Sequence, residues 1–205
     1  MSKTKIILFD VDGVLIKLPH YFSNELENGG YENAEENLNL FYHGEDSRKC
    51  SEGKADAEKN IRPYLEKFGW KGSAKDYFER QFAFEKGYLD KDLISLVATF
   101  QRRGMKCCLS TDQMANRAEY LLDEMNFRNI FDKHYISCYI GFRKCHENFW
   151  NHVMADLEKE FPELDPDDVA YFDDNRNNID VALRFGIRAF LYKDIGRLKK
   201  DVGLI

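Results

Sequence analysis

Apolar residues run together near the start of the chain, in Ile6-Ile7-Leu8-Phe9, and stop at Asp10-Val11-Asp12-Gly13. A segment apolar on both faces and closed by a glycine turn predicts a central strand of a parallel sheet covered on both sides. A different rhythm follows. Residues 19–89 are rich in Glu, Asn, Lys and aromatic residues, with helical spacing and no strand of comparable quality. Ile61, Tyr64, Leu65 and Phe68 fall at i, i+3, i+4 and i+7, one stripe on one helix face, which Gly69 and Gly72 end. A further short helix is predicted over 76–84, with Tyr77, Phe78, Phe82 and Ala83 on its apolar side. These segments predict a small helical bundle inserted after the first strand.

Beyond Tyr88 helix and strand patterns alternate. Leu93, Leu96, Val97 and Phe100 make a helical stripe that stops at Gly104, and a strand over 106–110 leads to Thr111-Asp112. Met114, Ala118, Leu121, Leu122 and Met125 mark the next helix, and 134–138 the next strand. Phe149, Trp150, Val153, Met154 and Leu157 mark another helix, and the strand 169–172 ends at Asp173-Asp174. Ile179, Ala182 and Leu183 define a helix closed by Gly186, before a strand over 188–192. Alternation of this kind predicts right-handed βαβ units and an α/β fold with a doubly wound parallel sheet. The expected division is a core of residues 1–17 and 88–205 and a helical insertion of residues 18–87.

Composition narrows the class. With 205 residues, 43% hydrophobic and 32% charged, the chain suits a folded globular protein with one core domain and a smaller insertion. The net charge of -6 repels a phosphate backbone, so no nucleic-acid partner is expected. The apolar run 6–18 is broken by Asp10, Asp12 and Lys17, which excludes a membrane span or a signal segment there. A cytoplasmic protein is expected. Cys50, Cys107, Cys108, Cys138 and Cys145 are odd in number and lack CxxC spacing, so free thiols are expected. Zinc at Cys145-His146 is disfavoured, because adjacent residues chelate poorly without further ligands. Composition sets no oligomeric state.

In an open α/β sheet ligands bind at the carboxyl ends of the strands. Several ends here carry unusual polar residues: Asp10 and Asp12, Ser110-Thr111-Asp112, Asp173-Asp174, and Lys144 in the loop 141–144. Carboxylates converging in one cleft raise one another's pKa, and a hard divalent cation such as Mg2+ removes the conflict through oxygen ligands. Asp10 and Asp174 are the carboxylate candidates for such an ion.

Asp10-Val11-Asp12-Gly13-Val14 resembles the DxDGV motif of haloacid-dehalogenase-like hydrolases. Thr111 looks like that family's Ser/Thr motif, Lys144 its lysine, and Asp173-Asp174-Asn175 through Asn178 its acidic DDxxxN motif. Residues 140–144, 171–186 and 41–54 are most similar to the glucose-1-phosphatase-like branch, which carries a helical cap. The resemblance implies a phosphomonoester hydrolase in which Asp10 is the nucleophile and Asp12 the acid/base. It implies Thr111 and Lys144 as phosphate ligands, and Mg2+ held by Asp10, the Asp12 carbonyl and Asp174. Asp173 would serve as a water-mediated ligand or orient Lys144. A small phosphorylated metabolite, a sugar phosphate among the options, would be the substrate.

Two positions depart from the family pattern. Asp112 replaces a common Asn beside the phosphate site, where it either faces the phosphate or caps the helix beginning near Met114. Ser110 becomes the phosphate ligand if the strand register shifts by one. Cys145 stands where proline often follows the lysine, which would loosen that loop. Asn175 and Asn178 fit a helix start and local hydrogen-bonding groups, Arg48, Lys49 and Lys54 a solvated face, and Trp150 the apolar side of its helix. Competing functions are a phosphomutase using the same aspartyl phosphate, a 2-haloacid dehalogenase, disfavoured because it needs no Asp12, and a non-catalytic phospho-Asp or metal-binding interaction protein.

Overall fold

In a computed structural model, which describes residues 4–204, five strands form one parallel sheet in the order β3-β2-β1-β4-β5. β1 (Ile6–Phe9) is central, between β2 (Lys106–Thr111) and β4 (Val169–Asp173). β3 (Lys133–Ile136) and β5 (Arg188–Leu191) lie at the edges. All four residues of β1 are buried, as an apolar run with no polar face requires. Strand order reverses on either side of β1, so its carboxyl end is the switch point where a doubly wound sheet opens a crevice.

Helices cover both faces. On one side α6 (Lys91–Arg102), α7 (Ala115–Glu119), α8 (Phe127–Ile130) and α12 (Ile195–Asp201) pack on Ile7, Phe9, Leu109 and Phe172. On the other, α10 (Glu147–Glu160) and α11 (Arg176–Leu183) pack on Ile6, Leu8, Cys108 and Tyr171. The period-2 alternation of each strand thus divides one sheet between two apolar clusters. The helix expected over 114–125 is α7 continued by a π-helical turn, Tyr120–Glu124. The strand expected over 134–138 is shorter, because Ser137 and Cys138 already belong to α9 (Ser137–Ile140).

Between β1 and α6 lie α1 (Phe22–Asn28), α2 (Ala34–Tyr42), α3 (Glu45–Ser51), α4 (Ala57–Lys67) and α5 (Ala74–Lys86). They enclose their own core, in which Phe41, Ile61, Leu65, Tyr77 and Phe82 are buried. Phe41, Phe68, Tyr77, Phe78 and Phe82 are therefore bundle packing. The two chains joining bundle and sheet run together: Asp90 N donates to the Leu15 carbonyl at 2.8 Å, and Ile16 bridges Leu89. Bundle and sheet also meet where Ser137 Oγ donates to the Ser51 carbonyl at 2.6 Å. Gly53 passes so close to the Cys138 carbonyl, at a φ of +68°, that a Cβ would overlap it. All five cysteines are free thiols. No helix of the described residues is long and apolar enough to cross a membrane.

Candidate active site

Asp10 follows β1 directly and is buried, with Val11 N donating to its Oδ1 at 2.7 Å. Lys144, equally buried, places Nζ 2.7 Å from Asp10 Oδ1 and 2.6 Å from Asp173 Oδ2. One ammonium thus lies between two carboxylates that come from different strand ends. Burial drives the Asp10 carboxyl well above its ordinary value of 3.8; the Lys144 charge opposes this and that of Asp173 adds to it. Burial also opposes charge on Lys144, but Asp10, Asp173 and Asp112 more than offset it and the ammonium is held.

Asp173 has no exposed surface, and its carboxylate is surrounded by donors. Besides Lys144 it accepts from the Tyr171 hydroxyl, from Asn175 N at 2.6 Å and from Asn178 Nδ2 at 3.1 Å. Burial would raise its pKa, yet Lys144 and these donors bring it below the ordinary value. Asn178, the last residue of the acidic motif, thus hydrogen-bonds locally to the carboxylate that holds Lys144. Asp174 is exposed toward a cavity of about 660 Å³ between bundle and sheet, and partial burial with the Asp173 charge raises its pKa. Oxygens of Asp10, Asp173 and Asp174 all lie within 4.8 Å of one another. Gly13, at a φ of +74°, lets the backbone pass Asp174 where a Cβ would overlap its carboxylate.

Asp12 also lines the cavity. Gln113 Nε2 donates to its Oδ2 at 2.8 Å, and Arg117 NH2 reaches its Oδ1 at 3.1 Å. Partial desolvation would raise the pKa of Asp12, whose side chain stays 53% exposed, but Arg117 and Gln113 outweigh it and leave the carboxyl below its ordinary value. Glu85, near the end of α5, stands 2.9 Å from Arg117 NH2. Gln113, Arg117 and Glu85 went unnoticed in the sequence. A lone Arg or Glu in a helix reads as solvated until the fold places it, and only the polar Gln113 two positions after Thr111 hinted at a site.

The hydroxyls of the last two residues of β2, Ser110 and Thr111, have different surroundings. Thr111 Oγ1 accepts from Gln113 Nε2 at 3.0 Å, so it supports the group that holds Asp12. Ser110 Oγ is buried with no hydrogen-bond partner among the described residues. Because Phe9 pairs with Leu109, Ser110 is the next residue level with Asp10, on the face that Leu8 and Cys108 share. The Asp112 carboxylate is engaged by the lysine loop: it accepts from Lys144 N at 2.9 Å and from Arg143 Nε at 3.2 Å. It does not cap a helix, since the position before α7 is Met114, which has no side-chain cap. Asp112 instead ties down the lysine loop, and Trp150 Nε1 donates to the Lys144 carbonyl at 2.8 Å from beneath. These two anchors hold the loop despite Cys145 in place of proline, and they give Trp150 a structural role beyond its helix face.

A doubly wound parallel sheet with Asp10 and Asp12 after its central strand brings a buried lysine and an acidic pair after β4 to the same switch point. Residues 4–186 match the model for haloacid dehalogenase-like hydrolases, and the chain belongs to that family. No curated protein sequence matches it. Among solved structures it is similar to a HAD-family enzyme of Bacteroides thetaiotaomicron, in its wild-type complex with magnesium and inorganic phosphate. That match has 20% identity and a TM-score of 0.73, covering 95% of this chain and 98% of that one. A HAD-like family hydrolase from Porphyromonas gingivalis matches with 19% identity and a TM-score of 0.71, over 97% of each chain. An L-2-haloacid dehalogenase from Xanthobacter autotrophicus, with chloropropionic acid covalently bound, matches at 14% identity and a TM-score of 0.61, over 91% of this chain and 76% of that one.

Proposed function

We propose that the protein is a magnesium-dependent phosphomonoester hydrolase that works through an aspartyl phosphate on Asp10. The observation that carries this is the contrast between two carboxylates two residues apart. Asp10 is buried against Lys144, whereas Asp12 lines the cavity with its own donors. One carboxylate is placed as nucleophile and the other as acid/base, the pairing that phosphoryl transfer from and to oxygen needs.

The oxygen-only donor set of Asp10 and Asp174 fits a hard cation, with the Asp12 carbonyl completing the protein ligands. Asp173 serves by holding Lys144, since its carboxylate is already engaged. When bound, magnesium supplies Lewis-acid stabilisation and neutralises carboxylate charge. An Asp10 oxygen attacks phosphorus as the bond to the ester oxygen breaks, and Asp12 protonates the departing alcohol. Asp12 rests ionised; the dianionic phosphate entering beside it raises its pKa so that it can carry that proton. Water then attacks the aspartyl phosphate, Asp12 takes its proton, and Asp10 is regenerated with release of phosphate. Lys144 and the free Ser110 hydroxyl hold the phosphoryl oxygens, with Thr111 supporting Gln113 instead.

The helical bundle, residues 18–87, acts as a cap over the cavity. The exposed polar side chains of Asn39 and His43 line its wall beside Tyr42, which suits a small, polar leaving group such as a sugar. In a panel of phosphorylated metabolites assayed beside a generic aryl phosphate, phosphate release is expected with magnesium and its loss on chelation. No release from any ester would overturn the proposal.

Magnesium binding is also expected to depend on pH. The Asp10 and Asp174 carboxyls are raised, so between the ordinary value and their own they hold protons that the cation must displace. The stability that protonated Asp10 gives the metal-free fold is present at low pH and lost as pH rises through its folded pKa. Affinity for magnesium should therefore increase from acid to neutral pH in titration calorimetry, with protons released on binding. A flat profile would contradict these ligands.

A further inference from the structure

Arg117 lies at the junction of the sheet and the bundle, and no step above uses it. It is buried, on α7, and its guanidinium touches four side chains from two parts of the molecule. On the sheet side it donates to Asp12 Oδ1 at 3.1 Å and to Gln113 Oε1 at 3.3 Å. On the bundle side it stands 2.9 Å from Glu85 Oε2 and 5.6 Å over the Phe82 ring. From Glu85 the polar contacts continue along the cavity wall. Gln81 Nε2 donates to Glu85 Oε1 at 2.8 Å, and the Tyr42 hydroxyl donates to Gln81 Oε1 at 2.5 Å.

We propose that Arg117 is a positioning residue that orients the Asp12 carboxylate over the cavity and ties it to the cap through Glu85. The inference rests on the proposed role of Asp12. A surface arginine paired with Asp12 alone would contribute little and move freely. A planar guanidinium held by Glu85 and Phe82 has its orientation set by the bundle, and it passes that orientation to Asp12. With Gln113 fixing Oδ2 and Arg117 fixing Oδ1 from one side, the remaining lone pairs of Asp12 face the cavity. Cap helix α5 thereby takes part in placing the group that moves the proton.

Leaving-group dependence tests this. Protonation by Asp12 matters for an alkyl ester, whose alkoxide leaves poorly, and hardly for 2,4-dinitrophenyl phosphate, whose phenolate leaves unaided. Arg117→Gln is expected to lower kcat/KM for a simple alkyl phosphate by about 10²-fold, the scale of a general acid. It should leave kcat/KM for 2,4-dinitrophenyl phosphate within about threefold. Asp12→Ala should show the same selectivity in kcat/KM while its kcat falls for both esters, since Asp12 also activates the water. The double variant should show no further loss in kcat/KM, because both changes remove one function. Arg117→Lys, which keeps a cation between Asp12 and Glu85, should recover part of the alkyl-ester activity; it also serves if the glutamine variant does not fold. If Asp12→Ala is selective but both Arg117 variants slow the two esters equally, or slow neither, the positioning role is wrong. If the wild-type protein hydrolyses neither ester, or Asp12→Ala leaves both unchanged, it is the assigned function that fails.

Discussion

Asp10→Asn is expected to abolish magnesium-dependent phosphate release, by at least roughly 10⁴-fold in kcat, the scale of removing a nucleophile. The substitution keeps the shape of the side chain, and an amide oxygen can still accept from Val11 N as Asp10 Oδ1 does at 2.7 Å. Lys144 keeps its second partner, Asp173, at 2.6 Å. Taking one charge from a crowded acidic group also relieves the repulsion that Asp173 exerts on Asp10. The variant should therefore fold with little change in midpoint for urea unfolding while losing turnover. Residual turnover near the wild-type level would mean that another group attacks phosphorus.

Lys144→Met is expected to cost stability as well as activity. Lys144 is the ammonium shared by Asp10 and Asp173, and all three side chains are buried. Breaking a buried ion pair from one side commonly costs about 3–5 kcal/mol, because the remaining charge has no compensation. The loop itself should persist, since Asp112 and Trp150 bind the backbone at position 144. The deficit measured by denaturant should shrink in acid. Without the lysine both carboxyls rise in pKa, so the folded state binds more protons and gains stability as pH falls. Magnesium should also reduce it by restoring positive charge beside Asp10. Wild-type stability in the variant at neutral pH would show that the lysine is not the counter-charge.

Much of this site was legible in the chain because strand ends announce themselves. Apolar runs such as 6–9 and 169–172 have no solvent face, so the polar residues that stop them fall together at one edge of the sheet. Lys144 followed from order along the chain rather than from local pattern, since an isolated lysine in a loop looks solvated. What was hidden depended on side-chain direction. Ser110 and Thr111 differ by one position, and one position in a strand selects the opposite face. The pairing of Phe9 with Leu109 decides between them, and that pairing is absent from a one-dimensional pattern.

Other roles were hidden because the partner was unforeseeable. Asp112 binds a backbone amide 32 residues away, and Trp150 binds a backbone carbonyl, neither of which has a side-chain signature. Arg117 and Asp12 are 105 positions apart and meet only when α7 packs beneath the bundle. Within residues 19–89 amphipathic spacing predicted α4 and α5, whose stripes are regular. The short helices α1 to α3 carry too few turns to impose a period, and glycines at 29, 30, 44 and 53 lie at or beyond their ends.

The central claim is that Asp10 itself becomes phosphorylated. The protein would be mixed with magnesium and a phosphomonoester that it turns over, quenched in acid to preserve the acyl phosphate, and digested for peptide mass spectrometry. The account predicts one added phosphoryl group on the peptide containing Asp10, absent from Asp10→Asn and accumulating in a variant slowed at Asp12. Turnover with no phosphoryl group on that peptide, or with the modification on another residue, would contradict it.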